Sequence, residues 1–223
     1  MDYTKPEDIE TQSFEIIGEE LAVLRRQRKQ ETSDTVPRIP NRTTIEEAVI
    51  RRVIHATADF DFDATMVFTH NAAEKAYHLL HEGCTVVTDT NMALAGLNKT
   101  ILAEFGGRAI CFMADEETAL MAKKNGSSRA QASVDRAAVL SLPLIYAVGN
   151  APTALFRIAE LHRTGTFTPS LVIASPVGFV NVVEAKELFL TSDIPGIITR
   201  GRKGGSAVAA AILNALLYFE GRS

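Results

Sequence analysis

Tryptophan is missing from this chain, cysteine is scarce, and there is neither a long apolar run nor an excess of positive charge. Two cysteines among 223 residues provide neither a disulfide framework nor a paired-cysteine metal motif, which favours a reducing compartment. The longest apolar stretch, 207–217, is interrupted by Asn214 and is too short to cross a bilayer. Because 27 acidic residues outnumber 23 basic ones, a globally basic nucleic-acid-binding protein is excluded.

The composition and the N-terminal segment are those of a globular intracellular protein. Hydrophobic residues make up 46% of the chain and charged residues 22%, which excludes disordered, coiled-coil and collagen-like classes. The N-terminal segment is polar and acidic and contains no apolar signal core. We therefore expect a cytoplasmic protein without a membrane segment. Its length suits one large domain or two small ones.

Two helices are predicted in the N-terminal part of the chain. Apolar residues at spacings of three and four predict the first helix over 7–29, and the basic run RRQRKQ is interpreted as its solvated end. Two prolines predict a connecting loop over 31–41. The second helix is expected to begin at Thr44 and run to about residue 55, because Thr44 and Glu47 have the spacing of a capping box.

From residue 64 onward, short β-rich runs alternate with helical stretches. Near-continuous apolar strands joined through helices are typical of a largely parallel sheet that is covered on both faces. The sequence therefore predicts an α/β fold, a three-layer α/β/α sandwich. We expect a single domain over 1–223, with a helical extension over 1–56 and an α/β core over 64–223. The predicted strands are TMVFT, CTVVT, RAICFM, LIYAV, LVIAS and GIIT.

Four predicted strand-to-helix turns are rich in glycine, asparagine or proline. They comprise residues 89–99, 149–153, 176–181 and 200–206. In an open α/β sheet, ligands bind beyond the carboxyl ends of the strands, where such turns lie. Glycine also lets the backbone approach a ligand closely. The sequence thus predicts a binding site that these turns form along one edge of the sheet.

Two of these turns favour an anionic ligand. In GNAPTA, Asn150 can cap the next helix and Pro152 lies in its first turn. The N–H groups left free either bind an anion or belong to an ordinary capped helix. RGRKGGS places three cations beside two glycines, and Arg129 adds a further cation unless it is a surface residue. The turn lacks both the P-loop and the dinucleotide spacing, so we predict a polyanion with carboxylate or phosphate groups.

Among the five histidines, His55 is the candidate for acid–base chemistry. It ends a predicted helix, whose dipole favours the protonated form, and the carboxylates of residues 59–63 follow it. A histidine that is protonated near neutral pH can act as a general acid, whereas the alternative is a histidine of the core. His78 and His81 match neither the HExxH nor the HxxEH spacing of zinc sites, so no metal site is predicted.

Seven segments together resemble the precorrin-8X methylmutase family of cobalamin biosynthesis. They follow the family's order over nearly the whole chain, and as a set they are far more specific than any one of them. The segments are SFEIIGEE (13–20), VIHATAD (53–59), VTDTNMALAGLNK (87–99), SRAQASV (128–134), VGNAPTALF (148–156), PVGFVNVVEAKE (176–187) and GRKGGSAVAAAILNA (201–215).

The resemblance implies an isomerase. Such an enzyme moves a methyl group from C-11 to C-12 of precorrin-8X or cobalt-precorrin-8, giving hydrogenobyrinate or cobyrinate. The resemblance further implies a deep cleft for this small tetrapyrrole, no dissociable cofactor, no metal held by the protein, and a homodimer with no nucleic-acid or membrane partner. It places the family's catalytic histidine, a general acid, on His55.

A ring bordered by carboxylates suits the cationic turns. We expect arginine and lysine side chains to bind the carboxylates, backbone amides to assist them, and other polar residues to line the cleft. Two alternatives stay open: a non-catalytic carrier of corrin intermediates, and a generic anion- or nucleotide-binding α/β protein. The expected substrate-binding residues are Ser13, Thr88, Asp89, Asn91, Arg129, Gly149, Asn150, Thr153, Arg202, Lys203, Gly204, Gly205 and Ser206.

Overall fold

The computed structural model describes residues 5–30 and 42–220, and the predicted loop over 31–41 lies outside them. Within the described residues, no helix is both long and apolar enough to cross a membrane. The strands are β1 (Met66–Thr69), β2 (Thr85–Thr88), β3 (Arg108–Ile110), β4 (Leu144–Val148), β5 (Leu171–Ala174) and β6 (Gly196–Thr199). The helices are α1 (Pro6–Gln30), α2 (Thr44–Thr57), α3 (Phe62–Thr65), α4 (Ala72–His81), α5 (Asn91–Gly96), α6 (Lys99–Glu104), α7 (Glu116–Asn125), α8 (Arg129–Ala137), α9 (Pro152–Arg163), α10 (Val182–Glu187) and α11 (Ser206–Tyr218), with a 3-10 turn at Leu188–Leu190.

The six strands form one sheet in the order β1-β6-β5-β4-β2-β3. All neighbouring pairs are parallel except β1 and β6, where Met66 lies opposite Thr199 in an antiparallel register. The predicted α/β class and the largely parallel sheet are therefore confirmed. The antiparallel strand lies at one edge, where the chain enters the sheet from the helical extension.

Strand β4 shows how the sheet divides the core into two layers. Ile145 and Ala147 face the layer of α2, α4 and α11, whereas Leu144, Tyr146 and Val148 face the layer of α8, α9 and α10. All five side chains are fully buried. A strand covered on both faces needs apolar residues at every position, which explains why LIYAV has no polar alternation.

The helical extension is joined to the core by buried charges. Arg25 of α1 donates from two nitrogens to the Glu47 carboxylate, at 3.0 and 2.9 Å, and also pairs with Asp63 at 2.5 Å. Arg28 reaches the same Asp63 carboxylate at 3.1 Å. Since Asp63 is fully buried, the interpretation of the basic run as a solvated helix end is wrong for these two arginines.

Helix α2 begins with a capping box one residue earlier than predicted. The Thr43 hydroxyl accepts a hydrogen bond from the Glu46 amide at 3.3 Å, and the Glu46 carboxylate accepts one from the Thr43 amide at 3.1 Å. Glu47, expected to complete the box with Thr44, instead pairs with Arg25 and Arg51. Thr43 and Glu46 thus cap the helix, while Glu47 joins it to α1.

The segment after β2 contains more helix than predicted. The expected turn over 89–99 contains α5 and the beginning of α6. The Thr90 hydroxyl accepts from the Ala93 amide at 3.1 Å, and the Asn98 side chain accepts from the Ile101 amide at 3.1 Å. Two polar caps eight residues apart thus begin two short helices, and the glycine between them ends the first.

Candidate active site

The carboxyl ends of β2 and β4 lie side by side at the point where the chain changes direction across the sheet. From β2 the chain continues through α5 and α6 to β3, and from β4 it continues through α9 to β5 on the other side. Connections that leave two adjacent parallel strands in opposite directions open a crevice between them. The turns singled out in the sequence surround this crevice.

Asp89 fills the floor of the crevice from within the protein. One carboxylate oxygen accepts from the Gly149 amide and the other from the amides of Asn150 and Ala151, each at 2.8 Å. Burial raises the pKa of the Asp89 carboxyl, while the three amide donors oppose that rise. The anion expected at the GNAPTA turn is therefore the chain's own aspartate.

Several expected substrate contacts are corrected by this arrangement. Asp89 and Thr88 are fully buried, so neither lines the cleft. The Thr88 hydroxyl donates to the Thr90 carbonyl at 3.1 Å. The backbone amides of Gly149 and Asn150 are engaged by Asp89, although the Asn150 side chain is exposed.

The exits of four strands converge at the beginning of α11. The Ser206 hydroxyl lies 2.7 Å from the Thr90 hydroxyl, and the Gly205 amide donates to the Ser175 carbonyl at 2.8 Å. A Cβ on Gly149 would lie 2.7 Å from the Ser206 Cα, so only glycine fits between these elements. Gly149 of the GNAPTA turn thus serves close packing. The expected role of the Gly205 amide in binding substrate is corrected, because that amide already has an acceptor.

Arg202 and Arg129 are exposed cations near this edge. The Arg202 guanidinium lies 5.4 Å from the centre of the Phe179 ring, and within the described residues neither arginine forms an ion pair. Arg129 begins α8, whose capping residue Ser128 donates to the Thr153 hydroxyl at 3.2 Å. That bond brings the N-terminus of α8 to the beginning of α9. The predicted cations Arg129 and Arg202 are therefore available to an anionic ligand.

Lys203 is engaged differently from its neighbour. Its ammonium lies 2.7 Å from the Asp59 carboxylate and 2.6 Å from that of Asp61, and these hydrogen bonds raise the pKa of Lys203. Lys203, an expected carboxylate contact, therefore already has two carboxylate partners in this structure, and its contact with the substrate stays a prediction. The two ion pairs hold the segment after α2 against the turn after β6.

His55 lies in the last turn of α2, four residues before Asp59, and its side chain is exposed. Its ring stacks on that of Phe14 of α1, with centroids 5.0 Å apart and planes inclined by 26°. The carboxylates expected to hold it protonated bind Lys203, Arg25 and Arg28 instead. Within the described residues, the imidazole nitrogens have no hydrogen-bond partner, so they can reach a bound molecule.

Ser13 and Asn91, which were also predicted to bind the substrate, differ in the contacts of their side chains. The Ser13 hydroxyl, in the residue before Phe14, donates to the Ile9 carbonyl of its own helix at 2.8 Å. Asn91 is exposed in the first turn of α5. Neither arrangement prevents contact with a ligand, so the substrate-binding roles of both residues stay predictions.

The turn after β5 contributes an apolar surface that sequence reasoning missed. Val177, Phe179 and Val180 are exposed, Phe179 to 81%. The Gly178 amide donates to the Arg202 carbonyl at 3.1 Å, which fixes this turn to the one after β6. The signal was the apolar run PVGFV placed outside a strand. An exposed aromatic ring beside a guanidinium suits a flat ligand with acidic groups at its border.

Lys186 of α10 was also missed, since a lysine in a helix is normally solvated. Its side chain is fully buried, and its ammonium donates to the carbonyls of Gly201 and Lys203 at 2.9 and 2.8 Å. Burial lowers the pKa of Lys186 to about 8. Lys186 therefore lies directly beneath the cationic turn.

Comparison with known proteins identifies the family. The precorrin-8X methylmutase model matches residues 8–219. The chain is 42% identical over 215 residues to the cobalt-precorrin-8 methylmutase of Salmonella typhimurium, which covers 96% of this chain and 95% of that protein. The chain belongs to the precorrin-8X methylmutase family. A relative from Leptospira interrogans, also called cobalt-precorrin-8 methylmutase, is 38% identical, with 96% of this chain and 94% of that protein covered.

A solved structure agrees with this assignment. The crystal structure of the precorrin-8x methyl mutase from Thermus thermophilus has a TM-score of 0.78 and 36% identity, with 94% of this chain and 95% of that chain covered. The resemblance stated from seven segments is therefore confirmed, and the chain is an enzyme, an isomerase of cobalamin biosynthesis. Within the described residues, no group of three or more His, Cys, Asp and Glu side chains could hold a metal ion.

Proposed function

We propose that the enzyme moves a methyl group from C-11 to C-12 of a precorrin-8 ring, with His55 as the general acid. The bond from C-11 to the methyl carbon breaks and the bond to C-12 forms within one molecule. Such a shift is intramolecular and needs no nucleophile from the protein. The proton that the general acid donates to the ring later returns to the protein or solvent, because an isomerisation leaves the elemental composition of the substrate unchanged.

The observation that carries the proposal is the environment of His55. Its ring is exposed, stacked on Phe14, and has no hydrogen-bond partner within the described residues. A fixed ring with unoccupied nitrogens suits proton transfer to a bound molecule, which is worth about 10² to 10⁴ in rate. The ion pairs of Lys203 with Asp59 and Asp61 hold the segment after His55 against the cationic turn.

The edge of the sheet supports the proposed substrate class. Arg129 and Arg202 offer cations to the acetate and propionate carboxylates at the border of the ring, and the exposed side chain of Phe179 offers a surface to its face. The two relatives named above are both called cobalt-precorrin-8 methylmutase, which supports the cobalt-containing form as substrate. In that case cobalt is already part of the substrate, and the product is cobyrinate.

We include in the proposal a cytoplasmic location, as the low cysteine content favours, and a homodimer, as the family resemblance implies. The carrier of corrin intermediates stays the alternative, because it needs the same cationic edge. It differs in one respect, since binding without chemistry does not depend on His55.

Absorption titration with hydrogenobyrinate, the metal-free product, and turnover of both precorrin-8 and cobalt-precorrin-8 test the proposal. We expect His55→Ala to bind the product as the wild type does and to lose turnover by at least about 100-fold. His78→Ala is the matched control, because His78 is an exposed histidine at the end of α4, before β2. Turnover kept in His55→Ala would refute the role of His55, and binding without any wild-type turnover would favour the carrier.

A further inference from the structure

The turn after β6 is held by a buried lysine that the proposed chemistry does not use. Lys186 has no exposed surface and donates to the carbonyls of Gly201 and Lys203. A buried ammonium is unfavourable unless it has acceptors, and here two carbonyls supply them. The Thr199 hydroxyl donates to the same Lys203 carbonyl at 3.2 Å, so this carbonyl is held inward from two sides.

The direction of these two carbonyls determines the direction of two amides. The peptides from Gly201 to Arg202 and from Lys203 to Gly204 are trans. In a trans peptide the N–H points opposite to the C=O. Because both carbonyls point inward at the Lys186 ammonium, the amides of Arg202 and Gly204 point away from it, towards the exposed side of the turn. Within the described residues, neither amide donates to a protein acceptor.

The backbone of the turn leaves little freedom for another arrangement. Gly204 has a φ of +158°, and a Cβ there would lie 2.3 Å from the Ser175 carbonyl oxygen. The Arg202 carbonyl accepts from the Gly178 amide at 3.1 Å, and Arg200 pairs with Glu187, the residue after Lys186. The turn is thus fixed on both sides of the two outward amides, and these amides lie on the same turn as the Arg202 guanidinium.

We propose that Lys186 is a positioning residue for substrate recognition, which turns the amides of Arg202 and Gly204 outward as donors to peripheral carboxylates of the tetrapyrrole. Successive outward amides beside cations form an anion-binding concavity. The lysine itself does not touch the substrate. This inference rests on the proposed function, and it adds how the ring's carboxylates are recognised.

The first test uses the wild-type protein and its backbone amide resonances. We expect the Arg202 and Gly204 amide protons to shift downfield when hydrogenobyrinate binds, and not when its fully esterified methyl ester binds. The same shift pattern with both forms, or no shift with the acid, would overturn the proposal. If neither form binds to the wild type, the proposed function itself fails, and this inference with it.

The second test uses Lys186→Met, which keeps the length of the side chain but removes its donors. We expect the acid to bind about 10- to 100-fold more weakly, with KM raised and kcat nearly kept, and the ester to bind as before. Lys123→Met on the exposed side of α7 is the matched control and should bind both forms as the wild type does. Equal losses for acid and ester would indicate general damage and refute the inference. If Lys186→Met does not fold, the resonance measurement decides.

Discussion

Asp89 is the residue on which the crevice most depends. A fully buried carboxylate would be costly by itself, but each of its oxygens accepts short hydrogen bonds from the turn after β4. These bonds bind the N-terminal turn of α9 to the end of β2 and give α9 the negative charge that its dipole favours. The sequence predicted Asp89 as a residue that lines the cleft. In the structure Asp89 is buried and supports the turn after β4 from within.

Asp89→Asn should therefore destabilise the fold more than an ordinary surface change. The carboxamide can accept with only one oxygen, and its NH₂ group would face amide donors. We expect the free energy of unfolding to fall by about 2 to 3 kcal/mol, measured by urea denaturation. Asp193→Asn is the control, because Asp193 is an exposed aspartate paired with His162. A similar stability for both variants would contradict the supporting role of Asp89.

At the scale of elements, local sequence patterns predicted most helices and strands. They did not predict the ion pairs between the ends of these elements. The bounds of β4 and β6 agree with LIYAV and GIIT, and α9 begins at Pro152 as predicted, since each depends on local hydrophobicity or a local turn. The partner of Lys203 could not be predicted in this way. Asp61 lies 142 residues away in sequence, and only the folded sheet brings the two together. Local pattern likewise did not predict that Glu47 pairs with Arg25 of α1 rather than with Thr44.

Ion pairs as well as apolar packing hold helix α1 against the core, and we call this contact region the α1 joint. Arg25 connects α1 to Glu47 on α2 and to the buried Asp63 on α3. Ile17 and Leu21 add buried apolar contacts on the same helix. Because α1 also carries Phe14, which stacks on His55, this joint positions the proposed general acid as well as the helix.

Arg25→Met should loosen that joint. It leaves Asp63 buried with Arg28 as its remaining partner, so we expect a loss of about 2 kcal/mol in the free energy of unfolding and faster proteolytic release of α1. Arg26→Met is the control, because Arg26 is exposed and, among the residues that the structure describes, donates only to the Ala22 carbonyl of its own helix. If limited proteolysis treats the two variants alike, the ion pairs do not hold α1 in place.

At the scale of the whole molecule, we place the interface of the proposed homodimer on the outer side of α1. Ile9, Ile16 and Val23 are exposed to 47%, 46% and 44%, and their spacing of seven places them on one side of the helix. A shallow groove of about 260 Å³ between α1, α2 and the end of α11 begins at Phe14 on the same helix. Stable interfaces bury roughly 800 Å² per partner, more than these three side chains supply, so the groove and its rim belong to the same proposed interface.

The proposed homodimer therefore predicts that Ile16→Glu weakens self-association. A carboxylate in the centre of an apolar row would be buried without a partner, so we expect the dimer dissociation constant to rise by at least about 100-fold in sedimentation velocity experiments. Leu120→Glu is the matched control, since Leu120 is an exposed leucine on α7. If Ile16→Glu sediments as a dimer like the wild type, the interface lies on another face of the molecule. If the wild type is monomeric at every concentration, the homodimer itself is wrong, and the exposed row on α1 then has another role.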